Sequence, residues 1–215
     1  MVRKDYDTRG LSRWNYLQEQ VESLVLRLTT PIKGISENKV CDKLQVRFFS
    51  RNEVEPGHTI KDASQVQSLF LENLPFGNTF IGPTLNKCLD TWISNGHKED
   101  RGVFFFIYTD GLFDDEGEFV NCLVRAGSVI TNHRLVKFFV LGLGQDIDIE
   151  KFVELDSNIN QIMPIDVFVF DMVNKVEDII ELLERQVLPD EPESYLAGWV
   201  KKENPKRYKE ITGNL

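Results

Sequence analysis

Val103-Phe-Phe-Phe-Ile-Tyr108 is an unbroken apolar and aromatic run closed by Thr109-Asp110-Gly111. A half-exposed strand would alternate polar and apolar side chains, so this run predicts a strand covered on both faces, as inside a parallel sheet. Two further runs have the same character: 135–141, leading into Gly142-Leu-Gly144, and 165–170. Residues 44–50 predict another strand and 58–60 a short edge strand. Elsewhere the apolar positions step by three and four. Trp14, Leu17, Val21, Leu24 and Leu28 predict a first helix, ended by Pro31 and Gly34. Leu85, Cys88, Leu89, Trp92 and Ile93 predict a second, ended by Asn95-Gly96. Phe119, Leu123, Ala126 and Ile130 share a face of a third. Val176, Ile179, Ile180, Leu183 and Val187 share a face of the last, which Pro189 stops. Weaker helical stretches lie at 63–71 and 149–155.

Strands alternating with helices at this spacing imply right-handed β-α-β crossovers and an α/β fold: three layers, a mostly parallel central sheet with helices on both faces. Residues 1–188 make one domain. Residues 189–215 form a charged tail with Pro189, Pro192 and Pro205. Within it Tyr195, Leu196, Trp199 and Val200 are expected to dock on the body, because two exposed aromatics are costly to leave in water; the alternative is a disordered tail carrying a partner-binding motif.

Composition narrows the function classes. The chain has 215 residues, 41% of them hydrophobic and 27% charged, which is ordinary for a globular domain. A formal net charge of −9 argues against a broad electrostatic footprint for nucleic acid or anionic membrane. Three scattered cysteines give no zinc spacing and suggest reduced thiols. No secretory h-region and no membrane-length apolar window is visible, so the expected address is the cytoplasm. His58, His97 and His133 are expected on the surface.

In open α/β sheets, ligands bind beyond the carboxyl ends of the strands. Asp110 is therefore a candidate ligand or catalytic group; the alternative is a turn cap with Gly111. Gly142-Leu-Gly144 lacks the third glycine of a dinucleotide fingerprint and follows a late strand, so a tight strand-to-helix turn is expected there.

The order of these elements resembles the von Willebrand factor type A (vWA) domain: a first helix, a strand, a Gly-x-Thr-like loop at Gly77-Asn78-Thr79, a helix, and an apolar strand ending Thr109-Asp110-Gly111. Residues 138–144 look like that family's penultimate strand. The resemblance spans roughly residues 12 to 188. It implies a Rossmann-like fold and a metal-ion-dependent adhesion site built from an Asp-x-Ser-x-Ser loop, a threonine and an aspartate. Thr79 matches the threonine and Asp110 the aspartate. Mg²⁺ suits such a site, because it favours hard oxygen ligands in near-octahedral geometry. A partner's carboxylate commonly fills the open position. The expected function is thus non-enzymatic protein–protein interaction, with a protein partner engaged through an acidic residue at the sheet's carboxyl edge.

The chain departs from the family at its start. Met1 to Gly10 contain neither the first apolar strand nor the Asp-x-Ser-x-Ser loop. In the family that strand lies between those matching 44–50 and 103–109. Its loss exposes two rows of backbone donors and acceptors unless the neighbours close up or the N-terminus is drawn in, and a less stable domain is expected. Metal binding also suffers: Thr79 and Asp110 are two ligands, with Asp7 (and its neighbours Asp5 and Thr8) as further oxygen sources. Mg²⁺ binding is expected to be weak or absent. Phe80, Leu112, Phe113 and Asp114 form the expected partner-binding rim, although Leu112 and Phe113 equally suit packing under the loop. A rival enzyme reading takes Asp5-x-Asp7-Thr8 as the nucleophile loop of a haloacid-dehalogenase-like, Mg²⁺-dependent phosphatase. Against it, that nucleophile must end a buried strand, and only four residues precede Asp5.

Overall fold

A computed structural model describes residues 1–31, 39–50, 53–96, 101–163, 165–176 and 178–188, together with Lys202, Pro205, Lys206 and Lys209. Six α-helices and five strands are defined among them. They are α1 (Arg13–Thr29), β1 (Leu44–Val46), β2 (His58–Ile60), α2 (Ser64–Glu72), α3 (Gly82–Thr91), β3 (Val103–Thr109), α4 (Glu116–Ser128), β4 (Val136–Gly142), α5 (Ile149–Ile162), β5 (Phe168–Met172) and α6 (Ile179–Val187). A π-helical turn, Trp92–Gly96, extends α3.

β3, β4 and β5 form a parallel sheet in that order. The register pairs Val103 with Val136 and Thr109 with Gly142, then Phe138 with Phe168. β4 lies in the middle and every one of its residues is buried. Its side chains alternate between faces. Phe138 and Val140 join a core with α3, α4 and α5; Phe139 and Leu141 join one with α1, α2 and α6. Helices therefore cover both faces, and the chain is α/β. No helix among the described residues is long and apolar enough to cross a membrane.

The sheet is interrupted beside β3. β1 pairs antiparallel with β2 in a separate two-stranded sheet, and no ladder among the described residues joins β1 to β3. A cavity of about 1440 Å³ lies between them, with Val21 of α1 and Leu85 of α3 on its two faces. Neither compensation expected for a missing strand closes it. The neighbouring strands stay apart, and the N-terminus reaches only the carboxyl end, where Met1 and Val2 line the cavity beside Asp110.

That gap corrects the expectation that 103–109 is covered throughout. Val103 to Phe106 and Tyr108 are only half-buried, because one edge of β3 faces the cavity. The strand expected at 44–50 is restricted to 44–46, where β2 supplies a partner; Arg47 beyond it instead donates its Nη1 to the Glu55 carbonyl at 2.6 Å. The strand expected at 165–170 begins at Phe168, because Asp166 makes a local turn, its carboxylate accepting the Phe168 N–H at 3.1 Å. α5 runs a full turn and more beyond 155. Val176 precedes α6 rather than lying in it. Gly34, His97, Pro189 and the docking expected of Tyr195 to Val200 fall outside the described residues.

Candidate functional site

At the carboxyl edge of the sheet, Thr109 turns the chain out of β3. Its hydroxyl donates to the Gly111 carbonyl at 2.7 Å. The turn is therefore held by Thr109, and Asp110 is left to make other contacts. Two cations meet it: the Met1 ammonium at 2.5 Å and Arg13 Nη1 at 3.5 Å.

The N-terminal residues fold back so that these cations arrive together. Arg9 and Gly10 adopt left-handed backbone (φ 56° and 76°) and reverse the chain. The buried Thr8 hydroxyl accepts the Asp5 N–H at 3.1 Å and donates to the Leu11 carbonyl at 2.7 Å. Ser12 then caps α1, accepting the Asn15 N–H at 3.1 Å. Asp5 thus comes against Arg13, Nε to Oδ2 at 2.5 Å, with both side chains almost fully buried. Arg13 Nη2 also reaches Asp146 at 2.8 Å, and Arg3 binds the same carboxylate at 2.5 Å. Burial by itself would lower the Arg13 pKa, but hydrogen bonds to Asp5 and Asp146 and the nearby Asp110 outweigh it, so the net shift is upward. The Arg13 hydrogen bond holds the Asp146 carboxyl below the usual range.

The turn after β4 is shaped to this arginine. Gly144 has φ +92°, and a Cβ built on it would run into the Arg13 guanidinium. Its glycine serves a tight turn and a close approach together. Gly144→Ala is expected to destabilise the fold by about 2 kcal/mol or more, from left-handed strain plus displacement of Arg13. Urea unfolding would measure it, with Gly117→Ala, whose Cβ meets nothing within 4 Å, as the comparison.

The Thr79 loop is fastened to the Asp110 loop. The Thr79 N–H donates to the Asp114 carboxylate at 2.6 Å, and the Asp114 N–H donates to the Thr79 carbonyl at 3.1 Å. Asp115 accepts the N–H groups of Ile81 (3.0 Å) and Gly82 (2.7 Å), satisfying donors at the start of α3. Thr79 and Asp110 consequently line the same cavity, at its carboxyl end. Asp7 is not among the residues lining it; it is half-buried and sits close enough to Tyr16 to help burial raise that phenol's pKa. At the rim, Leu112 is 41% exposed, Asp114 is exposed and Phe80 half-buried. Phe113 packs beneath the loop instead, 5% exposed, its ring 4.8 Å from Phe119.

This donor set does not fit an octahedral cation. It offers one hydroxyl and one carboxylate from separate loops, and the carboxylate already faces an ammonium and a guanidinium. Among the described residues no three His, Cys, Asp or Glu side chains gather as a metal group. The phosphatase geometry is not assembled either: Asp5 follows an isolated bridge at Lys4, not a buried strand, and both its oxygens face arginines.

Sequence reasoning passed over Arg13, although it stands four residues before Leu17 and in phase with the buried stripe of α1. It also passed over Lys137, a fully buried cation near the start of β4 whose Nζ donates to the Asp166 carbonyl at 2.7 Å. Burial lowers the Lys137 pKa, and Asp166 offsets part of that shift. The signal was a lone charge inside an apolar run. Neither a protein-family model nor a curated protein sequence matches this chain.

Proposed function

We propose that this chain is a non-enzymatic, cytoplasmic protein-binding module of vWA type with a degenerate metal-ion-dependent adhesion site. The order of elements supports the family reading, as does a gap in the sheet between β1 and β3, where a first strand would lie. The observation that carries the functional reading is the neutralisation of Asp110 by Arg13 and the Met1 ammonium. Arg13 and the Met1 ammonium compete with a divalent ion for Asp110, which supports a reading in which metal has little role in adhesion. Binding then relies on a rim of exposed Leu112 and Asp114 with the half-buried Phe80, carried on two loops that hydrogen-bond each other and sit over the buried Phe113. A rigid, mixed apolar and acidic rim suits recognition of another protein's surface better than turnover of a small substrate.

The test has two arms. Calorimetric titration with Mg²⁺ is expected to give no tight site, and affinity purification from source extract in EDTA is expected to retain a partner that Leu112→Asp loses. A tight Mg²⁺ site, or phosphate-ester hydrolysis abolished by Asp5→Asn, would reverse the reading.

A further inference from the structure

The hydrogen-bonding groups of β3 divide by residue. In a strand the N–H and carbonyl of one residue point to the same side, and the side alternates along the chain. The Thr109 carbonyl accepts the Leu143 N–H at 2.8 Å, so Thr109 turns these groups toward β4, as do Ile107, Phe105 and Val103. Phe104, Phe106 and Tyr108 therefore turn theirs the other way, into the cavity between β3 and β1. Among the described residues nothing bonds to them there. Backbone groups left unpaired between apolar walls are costly, and the walls here are apolar: Leu17 and Val21 from α1 on one face, Leu85 from α3 on the other.

The form of the cavity narrows its occupant. The unpaired groups recur at every second residue, about 6.6 Å apart, which is the repeat of a β-strand. A helix, about 10 Å across with its backbone bonded internally, answers none of them. The volume, about 1440 Å³, exceeds the roughly 300–1,000 Å³ of ordinary small-molecule sites, and walls on both faces call for apolar side chains above and below.

Direction follows from β1. The chain beyond it runs to Ser50, whose carbonyl lies 3.2 Å from the Cβ position of Gly77, at the Thr79 end of the cavity. β1 and β3 thus run the same way, and a strand between them completes a parallel sheet when it does too. The amino end of such a strand meets Lys43 and Arg101, which line the cavity just before β1 and β3 begin. The opposite end carries no matching charge, since Asp110 already meets Arg13 and the Met1 ammonium.

We propose that the cavity receives a strand from a partner protein, parallel to β3 and hydrogen-bonded to Phe104, Phe106 and Tyr108. Its length is about that of β3, seven residues. The strand is apolar on both faces and preceded by acidic residues that pair with the basic end of the cavity. This site lies inside the sheet and not on the Leu112 rim, so each reading can fail without the other.

The probe is a synthetic peptide, a pair of glutamates followed by a β3-length run of valine and alanine, kept soluble by a polyethylene glycol tail. Residue-resolved hydrogen exchange on the full chain is expected to show fast amides at 104, 106 and 108 beside slow ones at 105 and 107. Saturating peptide should slow the first set about 100-fold. Cys88, which lines the cavity, should lose its reactivity to a maleimide in step, while the buried Cys122 stays inert throughout. The peptide N-methylated at alternate residues keeps its apolar surface but loses donors, and should bind about 50-fold more weakly or worse. Lys43 is exposed, so Lys43→Glu should fold normally and bind about tenfold more weakly, with recovery when the peptide's glutamates are exchanged for lysines. Leu112→Asp should leave peptide binding unchanged. No binding, or equal binding of the N-methylated peptide, overturns the proposal. So do amides at 104, 106 and 108 that are already slow in the free monomer, which would mean the chain fills its own gap. Protection that appears only as protein concentration rises overturns it as well, in favour of a second copy.

Discussion

Arg13→Ala is expected to lower unfolding free energy by about 3–5 kcal/mol, the usual cost of removing one partner from a buried ion pair. Asp5, whose side chain is 2% exposed, would keep a charge with no buried counterion, and Asp110 and Asp146 would each lose a contact. Arg3→Ala gives the scale for comparison. Its side chain is 60% exposed and touches two of the same carboxylates, so a loss under about 1 kcal/mol is expected. Pairing Arg13→Met with Asp5→Asn should recover much of the loss, because both buried charges then disappear together. Urea titrations of the four proteins decide the matter. An Arg13→Ala midpoint equal to that of Arg3→Ala would remove the network from any structural role.

Phe119→Ala is expected to cost about as much, roughly 3–5 kcal/mol, through the cavity it leaves. Phe119 is fully buried, and its ring meets Phe113 at 4.8 Å and Phe168 at 5.8 Å. The effect should also travel to the rim. Phe113 is the residue between Leu112 and Asp114, so loosening its seat frees the loop that carries both. Faster amide exchange over 110–115 would record this, whereas Leu112→Ala should change stability by no more than about 0.5 kcal/mol. Unaltered exchange at 110–115 in a destabilised Phe119→Ala protein would show that the loop does not depend on the core beneath it.

The local pattern made the helices and the parallel strands legible. The stripe from Trp14 to Leu28 gives α1, and six apolar residues before Thr109 give β3. What eluded it is long-range. The partners of Arg13 include Asp146, 133 positions away, and no periodicity encodes such a pair. The start of β5 was missed because Asp166 holds a local turn and receives Lys137 from the neighbouring strand. β3 was expected to be covered because composition registers that a residue is apolar but not which neighbour lies beside it. For the site, the adjacency of the Thr79 and Asp110 loops followed from their order, while the protein cations that meet Asp110 did not.

Because no ladder among the described residues crosses from β1 to β3, the β1–β2 hairpin is tied to the rest by side chains and helix packing. Its attachments include the Phe48 ring against Trp14, at 5.5 Å, and the Glu55 N–H on the Thr84 hydroxyl, at 2.9 Å. A continuous sheet resists fraying as one cooperative block, but this molecule has a seam running lengthwise through it. Thermal fluctuations will part the domain along that line first, peeling the hairpin off as a foldon of its own while the three parallel strands hold.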